Sequence, residues 1–178
     1  ILVEEGSSGS PLGASGENGM FQGFGLTGSM RNIFNQMVVL GSTPIISKTI
    51  DELDFEVSYY SIGRVAVNEQ YKNVPFEVVW DEDHPQLIET DFNLSIQPDG
   101  SLTISVDTEH SRVYSYVTNK VLKTFPQFTF SRKIEPGTKL TADDFSFTIL
   151  LNDRFNPNAP NNYKFRFHAK NSLVNQYK

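Results

Sequence analysis

Residues 92–107 read FNLSIQPDGSLTISVD, and this stretch decides the fold. Apolar and polar residues alternate on both sides of a Pro-Asp-Gly sequence at residues 98–100. Alternation with a period of two places apolar side chains on one face of a strand, and Asp-Gly is typical of a tight β-turn. The stretch therefore predicts a β-hairpin whose buried face carries six apolar residues: Phe92, Leu94, Ile96, Leu102, Ile104 and Val106.

A hairpin with one apolar face is not stable alone in water, so it must belong to a larger sheet that packs on a second layer. After Pro44, short runs of strand-forming residues alternate with Gly, Pro, Asn and acidic turns. The strands are predicted at residues 45–50, 53–60, 64–68, 74–80, 87–96, 101–106, 113–121, 127–133, 145–151 and 163–169. The sequence thus predicts an all-β fold, an antiparallel β-sandwich for which the jelly-roll type is favoured.

The chain of 178 residues fits one domain preceded by an arm. We predict an extended Gly/Ser-rich arm at residues 1–30 and a single β-sandwich domain at residues 31–178. Eight of the 12 glycines lie at residues 6–28. The spacing of apolar residues at 31–40 predicts one short helix that stops at Gly41, and no other helix is expected.

The second half of the arm contains large apolar residues, which are not expected in a segment that remains fully solvated. We predict that they dock in a groove of the same domain or of a neighbouring chain, whereas residues 6–16 could equally be an ordinary linker. The predicted interaction residues of the arm are Met20, Phe21, Phe24, Leu26 and Met30.

Charge is distributed unevenly along the chain. Residues 1–110 have seventeen carboxylates and four Lys or Arg, whereas residues 111–178 have eleven Lys or Arg and four carboxylates. One interpretation is that acidic and basic strands pair within one sheet. The other is a subunit with opposite faces suited to contact with copies of itself. The net charge of −6 disfavours nucleic acid as the primary partner.

The chain shows no strong cofactor or metal signal, and we expect no cofactor. There is no cysteine, and the three histidines do not form a short ligand pair. A weak calcium candidate is formed by Asp81, Asp83 and Asp91, but their spacing does not match a calcium loop, and a solvated acidic turn explains them. No apolar run approaches the length of a membrane span.

No catalytic motif is recognisable in the chain. It has no nucleophile elbow of the GxSxG type and no phosphate-binding loop, so we expect no enzyme activity. A glycan-active enzyme remains the alternative that would leave no motif, because two carboxylates among many are not a recognisable pattern. The chain begins at Ile1 without an initiating Met, which predicts a processed or truncated protein.

Aromatic residues provide a second candidate surface. Trp80 and several tyrosines could stack on a sugar, although aromatic residues are frequent in strands for packing reasons alone. Tyr59 and Tyr60 are adjacent, so their side chains must point to opposite faces of a strand. The predicted ligand surface consists of Tyr59, Trp80 and Tyr163.

Together these features favour a structural or assembly subunit, of the kind found in virions, capsids and tail-type shells, that contacts its own copies or other subunits through the arm. The expected location is a virion or an extracellular surface. The alternative is an extracellular or surface module that binds glycan or protein.

Overall fold

The computed structural model describes residues 28–53, 55–159 and 161–176, with side chains described except at residues 28–31 and 51. The chain divides into two units, residues 1–40 and residues 41–178. The described part of the first unit is one helix, α1 (Gly28–Leu40). The predicted helix at residues 31–40 is therefore confirmed, and it begins three residues earlier than expected.

The second unit is rich in β-structure and sandwich-like. More than a third of the described residues lie in strands, as the alternation predicts, whereas the expectation of a single short helix is wrong because two further helices are described. The elements of this unit are, in chain order, α2 (Thr43–Leu53), β1 (Val57–Ile62), β2 (Val67–Glu69), β3 (Phe76–Trp80), β4 (Gln86–Ile88), β5 (Phe92–Ile96), β6 (Leu102–Ser115), β7 (Lys120–Ile134), β8 (Lys139–Ala142), β9 (Phe145–Leu151), β10 (Asn162–Phe167) and α3 (Lys170–Gln176).

The described strands form two sheets. In the larger one β2 pairs with β1, β1 with β10, β10 with both β4 and β5, both of these with β6, and β6 with β7. The smaller sheet has the order β3-β9-β8. The single strand predicted at residues 87–96 is thus split into β4 and β5. The interruption lies at Glu89, whose φ of 55° departs from extended backbone.

The hairpin of residues 92–107 is confirmed and lies at the centre of the core. Its six apolar residues are each at most 3% exposed. The turn closes through a hydrogen bond from the Gly100 amide to the Gln97 carbonyl, 2.9 Å long, and Gly100 has a φ of 85°. Phe92 stacks on Phe165 of β10 at 5.0 Å between ring centroids and contacts Phe147 of β9 at 5.2 Å. The buried faces of the two sheets therefore share one core.

The second half of the hairpin is longer than the sequence indicates. We predicted separate strands at residues 101–106, 113–121 and 127–133, but β6 continues to Ser115 and pairs along its length with β7. His110 has a φ of 63°, and the ladder skips the position opposite Pro126. A proline lacks the amide hydrogen needed there, so the pairing is interrupted at this position and resumes between Ser111 and Phe125.

Residues 45–50 were predicted as a strand, and this prediction is wrong because they belong to α2. Ile46 and Ile50 lie four residues apart on one helical face and pack against Leu173 and Val174 of α3. Short apolar runs do not distinguish strand from helix by composition, and here contact with a distant helix decides between them. The strand predicted at residues 53–60 begins instead at Val57, as β1. None of the described helices has the length and hydropathy of a bilayer-spanning segment.

Candidate interaction surfaces

Helix α1 exposes an unusual amount of apolar surface. Each described apolar side chain on it is between 49% and 65% exposed: Ile33, Phe34, Met37, Val38, Val39 and Leu40. The residues between them are the uncharged Asn35 and Gln36. Soluble monomers rarely leave a contiguous apolar area of this kind uncovered, and such areas mark sites of interaction.

The interaction residues predicted for the arm lie largely beyond the described part of the chain. Met20, Phe21, Phe24 and Leu26 are outside the described residues. Met30 lies in the first turn of α1, but its side chain is outside the description. The docking of the arm therefore stays a prediction.

A second surface is a groove of about 690 Å³ in the second unit, which we call the β1–β2 groove. It lies between the larger sheet and the ends of α2 and α3. Its lining residues come from three separate stretches of the chain and include Phe55, Ser58, Tyr60, Glu69, Tyr71 and His168. Its volume falls within the range of ligand-binding pockets, about 300–1,000 Å³.

One wall of the groove contains a paired serine and histidine. The Oγ atom of Ser58 and the Nε2 atom of His168 are 3.0 Å apart. Burial, and then the positive charge of Arg166, lower the pKa of His168 against the opposing effect of Glu89, Glu69 and Asp91. The imidazole is therefore uncharged at neutral pH, and the pair offers a hydrogen-bonding site without a formal charge.

Behind the groove, the cationic groups of two side chains lie near the ring of Tyr60. The Nζ atom of Lys164 lies 5.1 Å from the ring centroid and the guanidinium carbon of Arg166 lies 5.9 Å from it. Asp91 binds both cations, at 2.7 Å from Lys164 and 2.6 Å from Arg166. Tyr60 pairs with Lys164 on β10 and with Glu69 on β2, so these side chains share the outer face of the sheet.

The three residues predicted as a ligand surface do not share one exposed face. Tyr59 is buried and contacts Phe76, while Tyr163 is half-buried and contacts the same ring. Trp80 packs against Tyr116 at 4.5 Å and against Phe167. Of the adjacent tyrosines, Tyr60 is the one on the outer face, together with Tyr71, which is 61% exposed.

The weak metal candidates also lie in different surroundings. The Oδ1 atom of Asp81 accepts a hydrogen bond from the Asp83 amide at 3.0 Å, which is the geometry of a local turn. Asp91 is held by Lys164 and Arg166. Within the described ranges, no group of three or more His, Asp or Glu side chains converges on a point that could hold a metal ion.

Sequence reasoning missed the β1–β2 groove. Its residues are spread over positions 53–60, 69–71 and 168–176, and only tertiary contact brings them together. One signal could have helped: Ser42-Thr43-Pro44 fits the start of a helix, with Ser42 as the cap and Pro44 in the first turn. Recognising α2 would have placed a helix end beside β1.

Neither a protein-family model nor a curated protein matches this sequence. The geometry of α1 and of the β1–β2 groove is therefore the basis for inferring a function.

Proposed function

We propose that the protein is a structural assembly subunit that acts through protein–protein contacts, as in a virion, capsid or tail-type shell. The exposed apolar surface of α1 carries this proposal. Six large apolar side chains of one helix are about half exposed or more, and none of the residues between them is charged.

Helix stability supports a packed partner for α1. A helix of 13 residues is marginal in water on its own, because nucleation is costly and few backbone hydrogen bonds compensate for it. This helix has no acidic residue in its first turn and no basic residue in its last turn to favour it. Burial of one large apolar side chain is worth about 1.5–3 kcal/mol, so packing against a subunit would stabilise it.

The arm extends the same proposal. Ordering a glycine-rich segment costs about 1–2 kcal/mol per residue in backbone entropy, so docking needs compensating contacts. Met20, Phe21, Phe24 and Leu26 precede α1 in the sequence, and we infer that their apolar side chains bind a neighbouring chain. We also propose that the fold is a jelly roll with an extended Gly-rich arm. The proposed location is a virion or an extracellular surface.

The opposed charge of the two halves gives the proposal little support. Glu89 pairs with Arg112, and Asp91 pairs with Lys164 and Arg166, so acidic residues of the first half are bound by basic residues of the second half within the fold. Strand pairing thus removes part of the charge separation.

The test replaces the apolar surface of α1 and measures assembly. We expect the full chain to form oligomers in size-exclusion chromatography with light scattering. A variant with Ile33→Ser, Phe34→Ser, Met37→Ser and Val38→Ser should be monomeric. The matched control changes polar positions of the same helix, Asn32→Ser, Asn35→Ser and Gln36→Ser, and should assemble normally. A full chain that stays monomeric at high concentration, or an apolar variant that assembles like the control, contradicts the proposal.

A second candidate function is a surface module that binds glycan or protein. The β1–β2 groove favours it, because the groove has the volume of a ligand site and Tyr71 in its lining is exposed. This candidate requires a ligand but no oligomer, which separates it from the first.

A further inference from the structure

The aromatic side chains of the β1–β2 groove form an angled apolar surface. The rings of Phe55 and Tyr71 meet edge to face, with centroids 5.6 Å apart and planes at 62°. Tyr60 lies in the same groove, and its position is set by pairing with β2 and β10. These rings offer large and rigid apolar faces, and Tyr60 and Tyr71 each add a polar hydroxyl at one end.

Polar side chains of the groove supply several hydrogen-bonding groups. Ser58, Gln70, His168 and Gln176 line it in addition to Glu69. Amides, hydroxyls and a neutral imidazole donate and accept hydrogen bonds without adding charge. In the part of the chain that the structure describes, no side-chain hydrogen bond or ion pair engages Glu69 or Gln176.

Few formal charges line the groove. Among the described lining residues, Glu69 carries the one formal charge. Behind Tyr60, Lys164 and Arg166 share the single carboxylate of Asp91, which leaves one positive charge. An anionic ligand therefore finds no cation among the described lining residues, whereas a neutral ligand with many hydroxyl groups can use their hydrogen-bonding groups.

We propose that the β1–β2 groove binds a neutral saccharide. A sugar ring has an apolar face of C–H groups and a rim of hydroxyls, and these match the aromatic rings and the polar side chains of the groove. Phe55, Tyr60 and Tyr71 pack against the ring face. Glu69, Gln70 and Gln176 exchange hydrogen bonds with the hydroxyls. This inference rests on the second candidate function, a surface module that binds glycan or protein, and is independent of the assembly function proposed for α1.

The experiment is a titration followed by amide NMR spectra of the full chain. The neutral probes are methyl-α-D-glucopyranoside, methyl-β-D-galactopyranoside and N-acetyl-D-glucosamine, each raised to tens of millimolar. N-acetylneuraminic acid serves as the anionic probe. At least one neutral probe should shift amide signals at residues 55–60, 69–71 and 168–176 in a saturable manner. It should bind more tightly than the anionic probe.

Two variants locate the site. Tyr71→Ala should weaken binding by about twofold to tenfold, the loss of one aromatic contact. Glu69→Ala should also weaken binding, whereas Glu77→Ala, which removes an exposed carboxylate from β3, should not. Amide signal dispersion checks that each variant is folded, and Glu69→Ala keeps the test valid if Tyr71→Ala unfolds. The proposal is overturned if no neutral probe shifts the groove signals, if shifts are scattered and unsaturable, or if Glu69→Ala and Glu77→Ala behave alike.

Discussion

At the scale of single residues, Asp91 shows how this fold controls its charged groups. Burial alone would raise the pKa of Asp91, and this is the largest single effect on the carboxyl. Hydrogen bonds from Lys164 and Arg166 and their positive charges together outweigh burial, so the pKa lies below the ordinary value of 3.8. The carboxylate therefore fixes two cations of β10 beside the ring of Tyr60.

We expect Asp91→Asn to destabilise the protein at neutral pH by about 1 kcal/mol, a modest effect because the pair is partly exposed and screened by solvent. The pKa is lower in the folded state, so the unfolded chain takes up the proton first as pH falls. The stabilisation is present above pH 3.8 and is lost as the pH falls through the folded pKa. Urea unfolding across this pH range should show the wild type converging on the variant at low pH.

Asp143→Asn is the control for Asp91→Asn, since Asp143 is an exposed carboxylate on a turn. It should change the free energy of unfolding by much less at neutral pH. Equal effects of the two variants would mean that the ion pairs of Asp91 do not stabilise the fold.

At the scale of elements, one glutamine connects the two sheets. The amide of Gln86 on β4 donates to the Ser146 carbonyl at 2.9 Å and accepts from the Ser146 amide at 3.2 Å. In β9, Ser146 precedes Phe147, which pairs with Trp80, the last residue of β3. β3 ends at Trp80, opposite Phe147. The fully buried side chain of Gln86 therefore forms the hydrogen bonds with Ser146 that a longer β3 would form.

We predict that Gln86→Leu, which keeps the side-chain volume roughly constant, destabilises the protein by about 2–5 kcal/mol. The reason is that the amide and carbonyl of Ser146 lose their partner while buried, and each unsatisfied group costs about 1–3 kcal/mol. Gln97→Leu is the matched control, because Gln97 is only half-buried and bonds a serine hydroxyl at 3.3 Å. Chemical denaturation measures the free energy of unfolding of both variants. If Gln86→Leu lowers the free energy of unfolding by no more than Gln97→Leu does, this account is contradicted.

At the scale of the whole molecule, the two units have different sources of stability. All residues of the two buried clusters lie between Ile46 and Val174, within residues 41–178. The described part of residues 1–40 is α1, whose apolar side chains are exposed. The second unit therefore has a complete core of its own.

Deletion of residues 1–40 should leave a folded second unit that no longer assembles. We expect a cooperative thermal transition within a few degrees of that of the full chain, measured by circular dichroism, and a monomer in light scattering. Deletion of residues 1–16 is the control and should retain assembly, because it keeps the apolar residues from Met20 onward. If the longer deletion unfolds the protein, residues 1–40 belong to its core; if it assembles normally, the proposed assembly function is wrong.

The sequence by itself determined the hairpin of residues 92–107, its buried face and the β-rich class. These follow from local properties, because alternation assigns each side chain to a face and Gly100 permits the positive φ of the turn. The short helix at residues 31–40 was also predicted by local spacing. Such features need no knowledge of distant residues.

Only the tertiary structure decided the rest. A helix start near Thr43-Pro44 is a local signal, but the choice between strand and helix at residues 45–50 was decided by the packing of Ile46 and Ile50 on α3, more than a hundred residues away in the chain. The β1–β2 groove exists because β1 lies between β2 and β10, which brings Glu69 and His168 to one surface. Sequence can assign a side chain to a face of its own strand, but the neighbours across that face are set by strand pairing and helix packing.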